Sequence, residues 1–349
     1  MDEHSALADA VRDVVRRGGG PVAMRAALTS EHRYHAELWQ TLSGDVGVAA
    51  LSVPEHYDGA GATPRESAVV IETLGETLTP VPLLTTVLAI DALLATGDPA
   101  SCARLLPLVA TGEHIIALCW AGVSGWDAPG VTAEAGLLSG AAEYVIDGES
   151  ADSFLVLAGP DRVTLHHVDA DAPGVTVTPL PVLDPTRPLA RVHFDQTPSE
   201  TIPAPTGLSD RLRTLAWALL SAEQTGGAAG ALALTVEHTT ARTQFGRPLA
   251  SFQALKHTMA DMYVLVETMR SMSAAAVAAV ADDDPDAAAL AAAAHVYCSE
   301  GFVTVSGQAI QLHGGIGITA EHDIGLFFKR AQADAQLFGS PRRALSGIS

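Results

Sequence analysis

ARTQFGRPLASFQALKHTMADMY, residues 241–263, gathers residue types suited to holding an anion. Arg242 offers a planar donor fork that matches two phosphate oxygens. Gln244 and Phe245 follow it, then a Gly-Arg-Pro break, then Phe252 and Gln253 at the head of a second helical run. A later stretch, QAIQLHGGIGITAEHDIGLFFKRA at 308–331, sets Gln311, Gly314 and Gly315 in a turn where backbone could come close to a ligand. Each has a plain local reading too. Arg242 could complement a helix C-terminus, Gly246 and Pro248 could stop a helix, and HGGIG could join two helices. GGAAG at 226–230 lies inside a helical run with no strand before it, so close helix packing is expected there rather than a nucleotide loop. His257, His313 and His322 read as polar loop or bundle residues.

The elements that must position these residues follow from composition and periodicity. The chain has 349 residues, about half of them hydrophobic, which predicts two or three subdomains rather than one core. A formal charge of -20, with Lys256 and Lys329 the only lysines, excludes a nucleic-acid binder. Cys102, Cys119 and Cys298 lie far apart without CxxC spacing, so neither a metal site nor a disulfide framework is expected, and a reducing cytoplasm fits best. The charged N-terminus lacks a signal-peptide core, and the bland run at 274–281 is stopped by three aspartates, short of the roughly 20 residues a bilayer requires. No membrane insertion is expected.

Helical periodicity dominates residues 1–113, in ALADAVRDVV, ESAVVIETLGETL and LLTTVLAIDALLA. Six short β-branched or alternating runs follow in 114–205: HIIALCWAG, GLLSGAAEYVI, SFLVLAG, RVTLHHV, VTVTPL and ARVHFDQ. Four long helical runs, 210–242, 249–281, 286–312 and 323–337, fill 206–349 with short breaks between them. The expected fold class is therefore α+β: an N-terminal helical domain, a small antiparallel β domain or barrel, and a C-terminal four-helix bundle.

That order, with three motifs in matching positions, resembles the acyl-CoA dehydrogenase family over nearly the whole chain. LSVPEHYDGAGATPRESAVVIETLGETLTPVP is similar to its N-terminal signature, ARTQFGRPLASFQ to its Arg-x-x-Phe-Gly…Gln stretch, and QLHGGIG to its Gln-x-x-Gly-Gly-x-Gly turn. The resemblance implies FAD, an acyl-CoA substrate and oxidation to the 2-enoyl thioester. It also implies an assembly in which the ADP half of each FAD meets a neighbour's bundle. On that reading Arg242, Gln244, Phe245, Phe252, Gln253, Gln311, Gly314 and Gly315 contact the neighbour's cofactor. Ser340 replaces a threonine that usually contacts phosphate.

The departures from the family pattern are concentrated in the chemistry. The usual base position falls on Phe338 and the alternative one, on the first bundle helix, on Ala216. The flavin-contacting threonines of the β domain align with Cys119-Trp120-Ala121-Gly122 and with Tyr144-Val145-Ile146. Glu223 and Asp334 lie two turns and one turn from the empty positions, too far for a base that must come within about 3 Å of its proton. The resemblance thus implies a short, base-lacking subunit completing the FAD site of a homologous acyl-CoA dehydrogenase chain, as in actinobacterial heterotetramers for steroid side chains. The alternatives are a self-sufficient homodimer or homotetramer with an unassigned base, and a flavin-free scaffold.

Overall fold

A computed structural model of the chain describes residues 3–30, 32–159 and 163–346. Six helices open it: α1 Glu3–Arg17, α2 Gly20–Ala27, α3 Ala36–Thr41, α4 Pro64–Gly75, α5 Leu83–Thr96 and α6 Pro99–Ala110. α1 buries Ala8, Val11, Val14 and Val15 along one stripe, with Glu3 in its first turn and Arg16 and Arg17 in its last, the polarity a helix dipole favours. α5 buries ten of its side chains and stops at Gly97, left-handed at φ 62°. α6 is capped by Asp98, whose carboxylate accepts the Ser101 amide at 3.0 Å.

Eight strands follow: β1 Ile116–Cys119, β2 Val131–Glu134, β3 Leu137–Ile146, β4 Ser153–Ala158, β5 Thr164–Asp169, β6 Val175–Pro179, β7 Leu189–Pro198 and β8 Glu200–Ile202. They form one sheet in the order β6-β7-β3-β2-β4-β5-β8, with β1 also on β4. Most pairs are antiparallel, but β1 and β2 run parallel to β4, so the sheet is mixed. β2 and β8 are additions to the six expected runs. Both are short and mostly exposed, so neither carries an apolar signal. Arg162, at the start of the expected RVTLHHV run, lies outside the described residues. β4 is buried along its whole length, and Phe154 meets Phe194 of β7 edge-on at 6.3 Å in the sheet core.

The last third contains α7 Leu208–Ala241, a two-strand hairpin of β9 Thr243–Gln244 and β10 Arg247–Pro248, α8 Gln253–Ala281, α9 Ala287–His313, α10 Ile324–Asp334 and α11 Pro341–Leu345. The order of helical, β and helical segments is the expected α+β arrangement. By length and composition α8 and the helix starting at Ala287 would suffice to cross a membrane, so the apolar stretch is longer than the run at 274–281 indicated. In this fold α9 packs on α8, α10 and α11.

The described residues cluster into two compact units, one drawn from 3–67 and 80–216, the other from 68–79 and 217–346. Glycines explain why 68–79 joins the bundle. A Cβ on Gly226 would come within 1.9 Å of the Glu72 carbonyl oxygen, and one on Gly230 within 2.0 Å of that of Glu76. GGAAG is therefore the face on which the backbone of 68–79 lies against α7.

Candidate functional site

Arg242 stands just past the end of α7, where its amide donates to the His238 carbonyl at 2.9 Å. The chain then reverses through β9 and β10, with Arg247 opposite Gln244 and Pro248 opposite Thr243. The turn needs two left-handed residues, Phe245 (φ 52°) and Gly246 (φ 75°), the combination a tight hairpin demands. Glycine takes that conformation freely; a phenylalanine does not. Phe245 is also 91 % exposed, so neither its backbone conformation nor its ring position is repaid by burial. Phe252 meets it edge-on at 6.3 Å and carries the Arg247 guanidinium 4.0 Å over its ring. Gln253 bonds His257 at 3.2 Å.

α9 ends beside this hairpin. His313, its last residue, stacks on His238 at 4.4 Å, which brings the ends of α7 and α9 together. Gln311, Gly314 and Gly315 are exposed at that end, and no atom lies within 4 Å of where a Cβ on Gly314 or Gly315 would stand. Gly314 itself sits at φ 63°, ψ -141°, a conformation open to glycine alone. Arg242, Gln244, Phe245, Gln253, Gln311, Gly314 and Gly315 are thus all exposed, with Phe252 partly covered.

Ser340 is elsewhere. The turn that contains it is tied to the middle of α9 by His295, whose Nε2 donates to the Gly339 carbonyl at 2.8 Å. From His295 to His313 the helix runs about 27 Å at roughly 1.5 Å of rise per residue. The structure therefore brings Arg242 and Gly314 together and leaves Ser340 apart from them.

Phe338, the position that the resemblance assigns to the base, lies in that second turn. Phe338 is 2 % exposed, with left-handed backbone (φ 59°), and its carbonyl accepts the Trp217 indole N–H at 3.2 Å. Trp217 stacks on His295 at 5.5 Å and 7°. Burial pushes the His295 pKa down to about 4, against the opposing bond to Gly339, so the ring is neutral. Ala216, which the resemblance gives as the alternative base position, is buried in α7. Glu223 is bound to Arg330 at 2.5 Å with both side chains buried, and Asp334 is fully buried one turn beyond Arg330.

Within the first unit, the segment expected from the resemblance to contact a flavin ring is filled with aromatic groups. Trp120 meets Trp126 edge-on at 5.5 Å, Trp126 stacks on Tyr144 at 6.3 Å, and Arg213 lies 5.9 Å from the Trp120 ring while donating to the Trp126 carbonyl. Ile146 and Cys119 are buried, and burial raises the Cys119 thiol pKa well above its ordinary value.

Two groups were not legible in the sequence as sites: the Trp217–His295 pair, and a set of three histidines at the hairpin end. His313 donates through Nδ1 to the Ala309 carbonyl at 2.7 Å and faces His322 at 4.6 Å as well as His238. Burial, first, and then the neighbouring imidazoles push the His313 pKa to about 4. His238 is lowered by burial, then by His322 and Arg242. No spacing signal marks positions so far apart.

The acyl-CoA dehydrogenase N-terminal domain model matches residues 1–113, and the C-terminal domain model matches residues 214–345. Acyl-CoA dehydrogenase IpdE2 of Mycobacterium tuberculosis is 39% identical, over 99% of this chain and 95% of that protein. Among solved structures, the Tcur3481–Tcur3483 steroid ACAD aligns with TM-score 0.91 and 31% identity over 99% of this chain and 96% of the other. The ChsE4–ChsE5 complex from Mycobacterium tuberculosis aligns with TM-score 0.91 and 28% identity over 100% and 96%. Fold and motifs together define a chain of the FAD-dependent oxidoreductase class. It belongs to the acyl-CoA dehydrogenase family.

Proposed function

We propose that this chain is a base-lacking subunit of a heteromeric acyl-CoA dehydrogenase, completing the FAD site of a homologous chain that holds the flavin ring and the base. The carrying observation is Phe338. The residue at the usual base position is a buried phenyl ring, which can neither accept nor store a proton, and Glu223 is committed to Arg330. The names of the relatives, a steroid ACAD of two proteins and a two-protein complex, support both the assembly and a CoA thioester of steroid type.

The residues fit one end of the cofactor and not the other. At the hairpin end, exposed Arg242 suits a diphosphate, and the open space over Gly314 and Gly315 suits the adenosine end. At the ring end, Ile146 has no hydroxyl, and Trp120, Trp126 and Tyr144 pack on one another. The chemistry the bound cofactor supplies is acceptance of a hydride from the acyl β carbon. This chain's part is to hold and to exclude. Arg242 pairs with phosphate oxygens, Gln244, Gln253 and Gln311 offer amide hydrogen bonds, and Phe245 and Phe252 cover the cofactor against water. Ser340 serves the other end of the bundle. Three functional segments, 1–113, 114–205 and 206–349, and a reducing cytoplasmic location complete the reading.

The test is the flavin content of the purified chain, alone and in complex with its native partner. A colourless chain that forms a yellow complex supports the proposal, with Arg242→Gln lowering the FAD-to-complex ratio. One FAD per isolated chain together with dye reduction on acyl-CoA would overturn it in favour of a self-sufficient enzyme.

A further inference from the structure

The three imidazoles at the hairpin end come from three separate elements. His238 lies in the last turn of α7, His313 ends α9, and His322 stands in the connection before α10. One nitrogen from each lies within 4.8 Å of the other two. Nitrogens on a tetrahedral zinc ion are about 3.3 Å apart, given Zn–N bonds of about 2.0 Å, so the rings are already gathered to within a small adjustment.

His313 is prepared for the role. Its Nδ1 must carry the proton, because the Ala309 carbonyl it touches can only accept. The neutral ring then presents a lone pair at Nε2. That atom is buried and has no hydrogen-bond partner, in a side chain that is 5 % exposed. A metal-ligating histidine is held in this way, with its far N–H bonded to a backbone carbonyl to fix tautomer and ring orientation. His238 and His322 are partly buried and can adjust. His238 would tilt out of its 24° stack on His313, and His322 would give up the Ile324 amide it now accepts at 3.1 Å.

We propose that His238, His313 and His322 form a site for one divalent transition-metal ion of the zinc type. Three neutral imidazoles suit Zn²⁺ or Co²⁺ better than the hard, oxygen-seeking Mg²⁺ or Ca²⁺, and the chain's net charge of -20 favours a cation. Because the ligands span α7, α9 and the connection to α10, the ion would clasp the HGGIG turn to the helix end that presents Arg242. The expectation of no metal rested on cysteine spacing, which is silent about histidines distant in sequence. This inference does not rest on the flavin reading.

The experiment uses the full chain stripped with chelator and titrated with Zn²⁺ alone by calorimetry, then with Co²⁺ followed by its visible absorption. The expected result is one ion per chain, an intense tetrahedral-type Co²⁺ spectrum bleached by Zn²⁺, and a melting temperature raised by Zn²⁺. His322→Gln, on the partly exposed ligand, is expected to weaken Zn²⁺ binding at least 10-fold with the fold retained by circular dichroism. His313→Gln should abolish it, and His56→Ala, on an exposed histidine elsewhere, should leave it unchanged. Absence of stoichiometric Zn²⁺ binding overturns the proposal, as does binding of undiminished affinity in a folded His322→Gln chain.

Discussion

Replacing Glu223 by Gln separates two roles, structural partner and catalytic base, that a buried carboxylate two helical turns from Ala216 could have. Glu223 and Arg330 are 2.5 Å apart, with side chains 9% and 5% exposed. Removing one partner of such a buried pair deprives the other charge of a close counter-ion in the interior and costs about 3–5 kcal/mol. Gln keeps the volume and an acceptor oxygen, so the expected loss is about 3 kcal/mol, at the lower end of that range. Adding Arg330→Met removes the guanidinium that faced Glu223, and the double variant is expected to recover about 2 kcal/mol relative to the sum of the single changes, the coupling expected of two residues in contact. The assay is equilibrium urea unfolding of the wild type, both single variants and the double variant at pH 7. Dye reduction by the assembled complex is measured in parallel. A structural pair lowers the unfolding midpoint and leaves turnover per folded complex unchanged. The reasoning fails if Glu223→Gln changes stability by less than about 0.5 kcal/mol yet abolishes turnover with flavin still bound. Glu223 would then be a base.

Two further outcomes follow from the same interior. With its pKa held near 4 against an ordinary 6.5, His295 is neutral when folded, so the unfolded chain binds the extra proton first. Its contribution is complete above pH 6.5 and falls by about 3 kcal/mol as pH drops to 4; urea midpoints across that range should decline more steeply in the wild type than in His295→Gln, and parallel curves would contradict this. Gly226→Ala gains about 1 kcal/mol of helix propensity but drives a Cβ to 1.9 Å from the Glu72 carbonyl oxygen, so a net loss of about 2 kcal/mol is expected in thermal melts.

The hairpin residues illustrate how far local sequence reaches. The break between α7 and α8 was legible because the Gly-Arg-Pro stretch fixes where α7 must stop. The left-handed backbone of Phe245 was not, since nothing in the letters says that a two-residue turn will use a phenylalanine where glycine or asparagine is the easier choice. The strand β4 was plain from its apolar run, whereas its parallel neighbour β2 is a short, exposed strand whose residues alone favour no pairing. Ser340 was assigned to phosphate from its place two residues past Phe338, and the length of α9 from His295 to His313 sets it apart from the hairpin end.

Periodicity and turn residues by themselves determined the helix–strand–helix order, and three short motifs carried the resemblance to the family. These are properties of single residues and of short windows, where the 3.6-residue and two-residue repeats act directly. Tertiary structure alone decided that Glu223 closes on Arg330, that Gly226 receives the backbone at Glu72, and that His238, His313 and His322 converge. Each joins residues distant along the chain, and such contacts depend on how whole faces pack, which no local spacing encodes.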